Sequence, residues 1–368
     1  MIHASRTASV FASITPMAKQ RIELSIMVLA FLFSSVSYGV GMNLFSDKFD
    51  YSTSESAPKG HVMRIMAGSL GYEGGSVSVP SMADNQNGWG KSWSANVGSD
   101  YLKQLPNTLD IAFFSYTENQ FYRGHFDLPH AKIVKLFKEG HYSPKKNKHI
   151  TYDTFVIGVA PGGAVAVWAE SLDKTVEVFF GQAEKTDIEW QYMTNNPMPR
   201  DQYIQETLAE HLKSNEAATA VRKLGAPAGL WARYHRTRFA WQPVFTDIKL
   251  RDGRASEIRY YNGERDYWDY PLEKTKAAET RPLPKEMVFV WENTVEKGRM
   301  LEVYFNEAEI FEAFQKLGGQ NQPLQLEFRP NPEGSKDIIS IWLRNDKEAQ
   351  QLSRTEIKNY GAGPNKKH

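Results

Sequence analysis

LPNTLDIAFFSYTENQFYRGHFDLPHAKIVKLFKEG, residues 105–140, decides how the chain is read. Leu109, Ile111, Phe113 and Ser115 alternate with Asp110, Ala112, Phe114 and Tyr116. That is the period of a strand, and aromatics on both sides of the alternation call for cover on both faces. Thr117-Glu118-Asn119 turns the chain, and Phe121-Tyr122-Arg123 opens a returning strand that ends at Gly124. Glu118 and Arg123 are then expected as a cross-strand pair. Leu128-Pro129 starts a helix with proline early, where its missing N–H costs nothing, and Asp127 is expected to cap it. Ile133, Leu136 and Phe137 make one apolar stripe, and Gly140 is the expected stop. A basic loop, SPKKNKH at 143–149, separates this from YDTFVIGVAPGGAVAVW at 152–168. There Phe155–Val159 and Val165–Trp168 flank Pro161-Gly162-Gly163, a hairpin signal. The unit reads β-β-α-β-β.

The same order returns downstream. LPKEMVFVWENTVEKGRMLEVYFNEAEIFEAFQKLGG, residues 283–319, again has Leu-Pro, an aromatic strand, a Glu-containing turn, a returning strand and a helix stopped by glycine. Leu105 aligns with Leu283, and the helix at 133–140 with that at 310–318. Two further strands follow, at 324–328 and 338–343. This reads as an internal repeat. The expected fold class is α+β, with two related modules, each an antiparallel sheet with a helix packed on one face.

Residues 24–46 carry no charge, with Lys19 and Arg21 before them and Asp47, Lys48 and Asp50 after. That pattern marks a signal peptide or signal anchor with its N-terminus in the cytoplasm. Ser35-x-Ser37 and Ser37-x-Gly39 are candidate cleavage sites, and Met17 is a candidate start. The chain has no cysteine. Disulfides, thiol catalysis and zinc–thiolate sites are therefore excluded, as is a lipid-carrying cysteine. A net charge of +1 gives no reason to expect nucleic acid. Aromatic residues make up 12% of the chain, nine of them Trp, which suits β-rich cores and binding surfaces alike.

The expected organisation is residues 1–46 as n-region and hydrophobic helix, 47–60 as a polar linker and 61–199 as the first module. A connecting helix at 200–229 leads to the second module at 230–346, and 347–368 is a terminal helix and tail. Residues 81–93, SMADNQNGWGKSW, form a loop whose tryptophans either plug the sheet or make a contact surface. WARYHRTRFAW at 231–241 is basic and aromatic, a pattern that also occurs in nucleic-acid and anionic-lipid binders. Here it reads as a strand with a basic outer face.

The motifs LP-x-T-L-D, FSYTE, FYRG, F-x-LP, LFKEG and G-x-APGG-x-V-x-VW, in that order over 105–168, resemble one bacterial family, domain of unknown function 2931. Its members are often labelled lipoproteins. The resemblance is dense over 105–182 and looser over 236–345. It implies an envelope protein with no established catalytic residues, and for some members a gene neighbourhood of type VI secretion toxins.

Chemistry in the sequence is sparse. Ala67-Gly68-Ser69-Leu70-Gly71 resembles a nucleophile elbow, which needs a strand before the serine and a helix after it. His125, Asp127 and His130 are candidate metal ligands, although a site needs three converging groups. His141 and His149 flank the lysine loop and are expected in solvent. No catalytic, cofactor-binding or metal residue is assigned, and no cofactor is expected. The expected function is a non-enzymatic envelope binding protein, an immunity protein that occludes a secreted toxin, tethered at the inner membrane or periplasmic. The alternatives are an envelope hydrolase using Ser69 or the His125/His130 region, and a structural or sensory envelope component.

Overall fold

A computed structural model describes residues 48–96, 102–250, 256–268, 278–291, 299–318 and 323–361. In chain order it has β1 (Lys48–Phe49), β2 (Ser52–Ser56), β3 (Met63–Tyr72), β4 (Gly75–Ser78), β5 (Asp84–Asn85), β6 (Lys103–Gln104), β7 (Thr108–Ser115) and β8 (Gln120–Asp127). Helix α1 (His130–Glu139) precedes β9 (His141–Ser143), β10 (Lys148–Ile150), β11 (Thr154–Ala160), β12 (Ala164–Glu170), β13 (Thr175–Gln182) and β14 (Glu184–Thr186). Helices α2 (Arg200–Leu212), α3 (Asn215–Leu224) and α4 (Leu230–Arg236) lead into β15 (Arg238–Phe245), β16 (Ser256–Tyr260), β17 (Arg265–Trp268), β18 (Glu279–Pro282), β19 (Pro284–Trp291) and β20 (Arg299–Tyr304). Helix α5 (Glu307–Leu317) is followed by β21 (Leu324–Pro330), β22 (Ile339–Arg344), β23 (Ala349–Gln351) and β24 (Glu356–Gly361). The fold is mixed α+β and mostly antiparallel. The expected hydrophobic helix lies in residues outside those described, and among the described residues no helix is long and apolar enough to cross a membrane.

Three sheets carry the architecture. One runs β14-β8-β7-β3-β4 with β5 also on β3, one β2-β11-β12-β13-β17-β16-β19-β20-β24, and one β18-β15-β21-β22-β23. The two hairpins of residues 105–170 therefore lie in different sheets, which corrects the expectation of one sheet per unit. The reason is burial on both sides. Leu109, Ile111 and Phe113 of β7 pack toward Phe155, Ile157, Val165 and Val167 of β11 and β12, so the hairpins stack face to face as a sandwich. Ile133 and Phe137 of α1 close that core, with Phe137 stacked on Phe155 at 5.1 Å between ring centroids. Truncating Phe137 to alanine is expected to cost about 3–5 kcal/mol.

The pairing scheme of the first half recurs in the second. β2 lies parallel on β11, and β15 parallel on β21. β3 pairs β7 and β16 pairs β19. β8 pairs β14 and β20 pairs β24, while β12 pairs β13 and β22 pairs β23. The halves join through one register pair, Thr175 of β13 with Arg265 of β17.

Three expected elements differ. Residues 47–60 were expected as a linker but hold β1 and β2, with Tyr51, Thr53, Ser54 and Glu55 buried, because β2 supplies the parallel edge of the long sheet. The connecting helix is broken. Lys213 takes a left-handed φ of 59°, and the Ser214 hydroxyl caps α3 by accepting from the Ala217 N–H. The polar terminal helix expected at 347–360 is two strands. Ile357 sits opposite Val303 in β20 and Leu352 is buried, so sheet pairing overrides a helix-favouring composition.

Candidate functional site

The outer face of the six-stranded sheet is half covered. Ile204 and Leu208 of α2 and Ala218 of α3 cover Phe114, Tyr116 and Phe121. On the uncovered half, Ser69 of β3 lies opposite Asp110 of β7, and Asp110 opposite His125 of β8. Directly opposed residues share a face, so these three form a row across adjacent strands. His125 Nδ1 is 2.8 Å from Asp110 Oδ1, and the two side chains are 63% and 60% exposed. The order is unsuited to nucleophilic catalysis, which needs the imidazole between hydroxyl and carboxylate. Ser69 also sits mid-strand and is followed by more strand, not by a helix, so no nucleophile elbow forms. The hydrogen bond to Asp110 raises the His125 pKa, favouring imidazolium over a base.

The other expected residues disperse. His130 Nδ1 lies 3.2 Å from the Pro106 carbonyl. Asp127 ends β8 and does not cap α1, whose N-cap is Pro129 with no side-chain cap hydrogen bond. His141 is half-buried against Ser171 Oγ at 2.6 Å, and burial lowers its pKa, so it is not the solvated residue expected. Glu118 does not pair with Arg123. Its carboxylate accepts from the Gly162 N–H at 2.9 Å and the Tyr122 hydroxyl at 3.0 Å, tying the two hairpin turns together. Among the described residues no three His, Asp or Glu side chains converge as a metal site.

Two further features stand out, and the sequence points to only one of them, the tryptophan loop. The first is a charged seam where the halves meet, beside a cleft of about 580 Å³. The Glu177 side chain is 2% exposed. It accepts from Asn262 Nδ2 at 2.8 Å, lies 3.0 Å from His235 Nδ1 and 3.8 Å from Arg238. Arg238 also bonds Glu264 at 2.6 Å. Burial first, and then the Glu177 charge against the opposing pull of Arg238, leaves the Glu264 pKa raised. The basic stretch at 231–241 thus starts as a helix with Trp231, Tyr234 and Trp241 buried. Arg233, His235 and Arg238 are spent on Glu307, Glu177 and Glu264. Its alternation of aromatic and basic residues was the visible signal, but the acidic partners lie up to 74 positions away.

The second is the loop at 87–94. Trp89 plugs the seam, edge-on to Trp168 at 4.9 Å. Trp93, in contrast, is 64% exposed on a pinned backbone. Its N–H donates to Ser54 Oγ at 3.0 Å, and Asn87 Nδ2 donates to the Lys91 and Ser92 carbonyls at 2.6 and 3.0 Å. Ser94 Oγ lies 2.7 and 2.8 Å from the two oxygens of buried Glu55. Trp93 borders a groove of about 600 Å³ shared with Asp84, Gln86, Glu210, His211 and Leu212. The groove floor is rigid, since Arg64 grips Asp84 with two bonds of 2.6 and 2.8 Å and Tyr116 donates to it at 2.7 Å. Burial holds the Tyr116 phenol far above the usual tyrosine range, so it stays a donor.

Two comparisons returned nothing: no curated protein and no solved structure matches the chain. A family model does match, described as "Protein of unknown function (DUF2931)", over residues 40–229. That range contains the dense stretch at 105–182 and ends before 236–345.

Proposed function

The chain belongs to the DUF2931 family, and from that premise we propose that it is a non-enzymatic binding protein of the cell envelope that neutralises a secreted toxin by covering it. One observation carries the reading: Trp93 stands exposed on a loop held by at least four side-chain hydrogen bonds, at the rim of a groove with a fixed floor. Exposed aromatics are enriched among residues that dominate binding energy, and holding one in place beforehand lowers the ordering cost on association. The partner is a folded protein that inserts an edge or loop into the groove and covers the Trp93 ring, burying its own active site in the contact.

In this reading residues 1–46 export the chain and leave it tethered to the inner membrane or free in the periplasm. The two halves are related modules that arose from one unit, and the recurrence of the strand pairings supports this. Mass spectrometry of proteins that co-purify with the full chain tests the proposal. A single stoichiometric toxin-like partner, lost with Trp93→Ala, is the expected result. Cells that still need the gene after the neighbouring toxin gene is deleted would contradict it.

A second reading is an envelope hydrolase, and the Glu177–His235 pair beside the cleft favours it over the Ser69 and His125/His130 versions. With Nδ1 held by the carboxylate, His235 keeps Nε2 without a hydrogen bond among the described residues. Such a nitrogen suits activating a water molecule. Hydrolysis of envelope substrates that disappears in His235→Ala would support it.

A further inference from the structure

The inner side of the 87–92 loop faces a second pocket at the seam, of about 300 Å³, equal to roughly ten water molecules of liquid volume. Its far wall is the β16–β17 turn. The charges around it do not cancel. Lys59, Lys91, Lys285, Arg259 and Arg265 line it against only Glu170, Glu264 and Glu286. Charges on both sides are partly spent: Glu264 holds Arg238 and Arg259 is held by Glu257 at 2.6 Å, both partners lying outside the pocket, and Glu170 lies 4.0 Å from Arg265, which leaves Lys59, Lys91 and Lys285 against Glu286. Among the described residues no hydrogen bond or ion pair ends on the ammonium groups of Lys59, Lys91 or Lys285. The Arg265 Nε is buried and also without a hydrogen-bond partner. Surrounding protein lowers the Lys285 pKa, with the Arg259 and Lys59 charges adding to it against the opposing pull of Glu286 and Glu307.

We propose that this pocket binds a phosphate-type oxyanion, either free phosphate or a small phosphomonoester, held by Lys59, Lys91 and Lys285. Lysines reach such a group as mobile point charges, and charge-assisted hydrogen bonds are about twice as strong as neutral ones. The loop suits the role because its backbone is fixed: Gly88 N–H donates to the Ala57 carbonyl at 2.8 Å and Gly90 N–H to Ser56 Oγ at 2.9 Å. This pocket adjoins the Trp93 groove, with Lys59 and Asn87 lining both, and the proposal does not rest on what that groove binds.

The test is calorimetric titration of the full chain in neutral detergent with inorganic phosphate and with glycerol phosphate, against sodium chloride at matched ionic strength. Saturable phosphate binding is expected, weakened about tenfold or more in Lys59→Ala/Lys285→Ala and also weakened in Lys91→Ala, which alters the opposite wall. Tighter binding of glycerol phosphate would identify an ester as the ligand, and equal binding would identify the bare group; either supports the site. All three lysines are exposed, so melting without ligand should be unchanged in the variants. Equal heat from chloride, or phosphate binding unaltered in both variants, would overturn the proposal.

Discussion

Gly90 and Gly263 meet backbone to backbone: a Cβ on Gly90 would stand 2.3 Å from the Gly263 carbonyl oxygen. A Cβ on Gly263 would stand 2.9 Å from the Gly90 Cα and 2.8 Å from the Trp168 ring. The tryptophan loop of the first half is thereby seated on the β16–β17 turn of the second, and both glycines line the lysine-rich pocket there.

Gly90→Ala is therefore expected to cost about 3 kcal/mol, since it meets backbone that cannot swing aside and must also hold a φ of 74°. Gly60→Ala is the control. It has a similar φ of 84° with nothing within 4 Å of the added Cβ, so only the conformational cost of about 1–2 kcal/mol applies. Urea unfolding of both variants measures the difference, and equal losses would show that the contact is not tight.

Removing Glu177 takes a buried acceptor from two partners, Asn262 and His235, while Arg238 keeps its bond to Glu264. Glu177→Ala is expected to destabilise by about 1–3 kcal/mol, because the buried Asn262 amide loses its partner. The combined Glu177→Ala/His235→Ala variant should be less destabilised than the sum of the two single changes, and a double-mutant cycle on unfolding free energies reads the coupling.

On the open sheet face, proton chemistry is the readout. The His125 pKa is raised by its hydrogen bond to Asp110, so Asp110→Asn should move the His125 NMR titration midpoint down toward about 6.5. With the folded value above the unfolded one, the pair's contribution to stability is present below the unfolded pKa and fades as pH rises through the folded one. A midpoint unmoved by Asp110→Asn would refute the coupling.

His61 behaves oppositely. Its ring lies edge-on to Trp231 at 5.6 Å, and burial lowers its pKa. The unfolded chain then binds the proton more readily, so this contribution to stability is full above about 6.5 and is lost as pH falls toward the depressed folded value. Melting temperature should drop between pH 7 and 5, and His61→Gln should flatten that slope.

Trp93 separates binding from folding. Trp93→Ala should change stability by no more than about 0.5 kcal/mol, as for other exposed positions, while abolishing partner capture. A large loss of stability would make Trp93 a structural residue after all.

Residues 105–170 were legible because their signals are local. Alternation at 109–116, the glycine after α1 and the Pro-Gly-Gly turn each fix a conformation within a few residues. The seam was not legible. Glu177 meets Asn262 across 85 positions, and nothing in either neighbourhood marks the other. The stretch 347–360 misled for a related reason: its helix-favouring residues are outweighed by pairing partners on β20 and β22.

By itself, then, the sequence determined the order of the main strands and helix at 105–170 and at 283–343, and the family, since periodicity, turn residues and motif order are properties of neighbouring positions. Only the tertiary structure decided that each pair of hairpins splits between two sheets, that Ser69, Asp110 and His125 share a row in an order unsuited to catalysis, and that one tryptophan of the 87–94 loop is half-buried against Trp168 while the other is exposed. Those outcomes depend on which distant surfaces bury each other, and burial is a property of the packed whole.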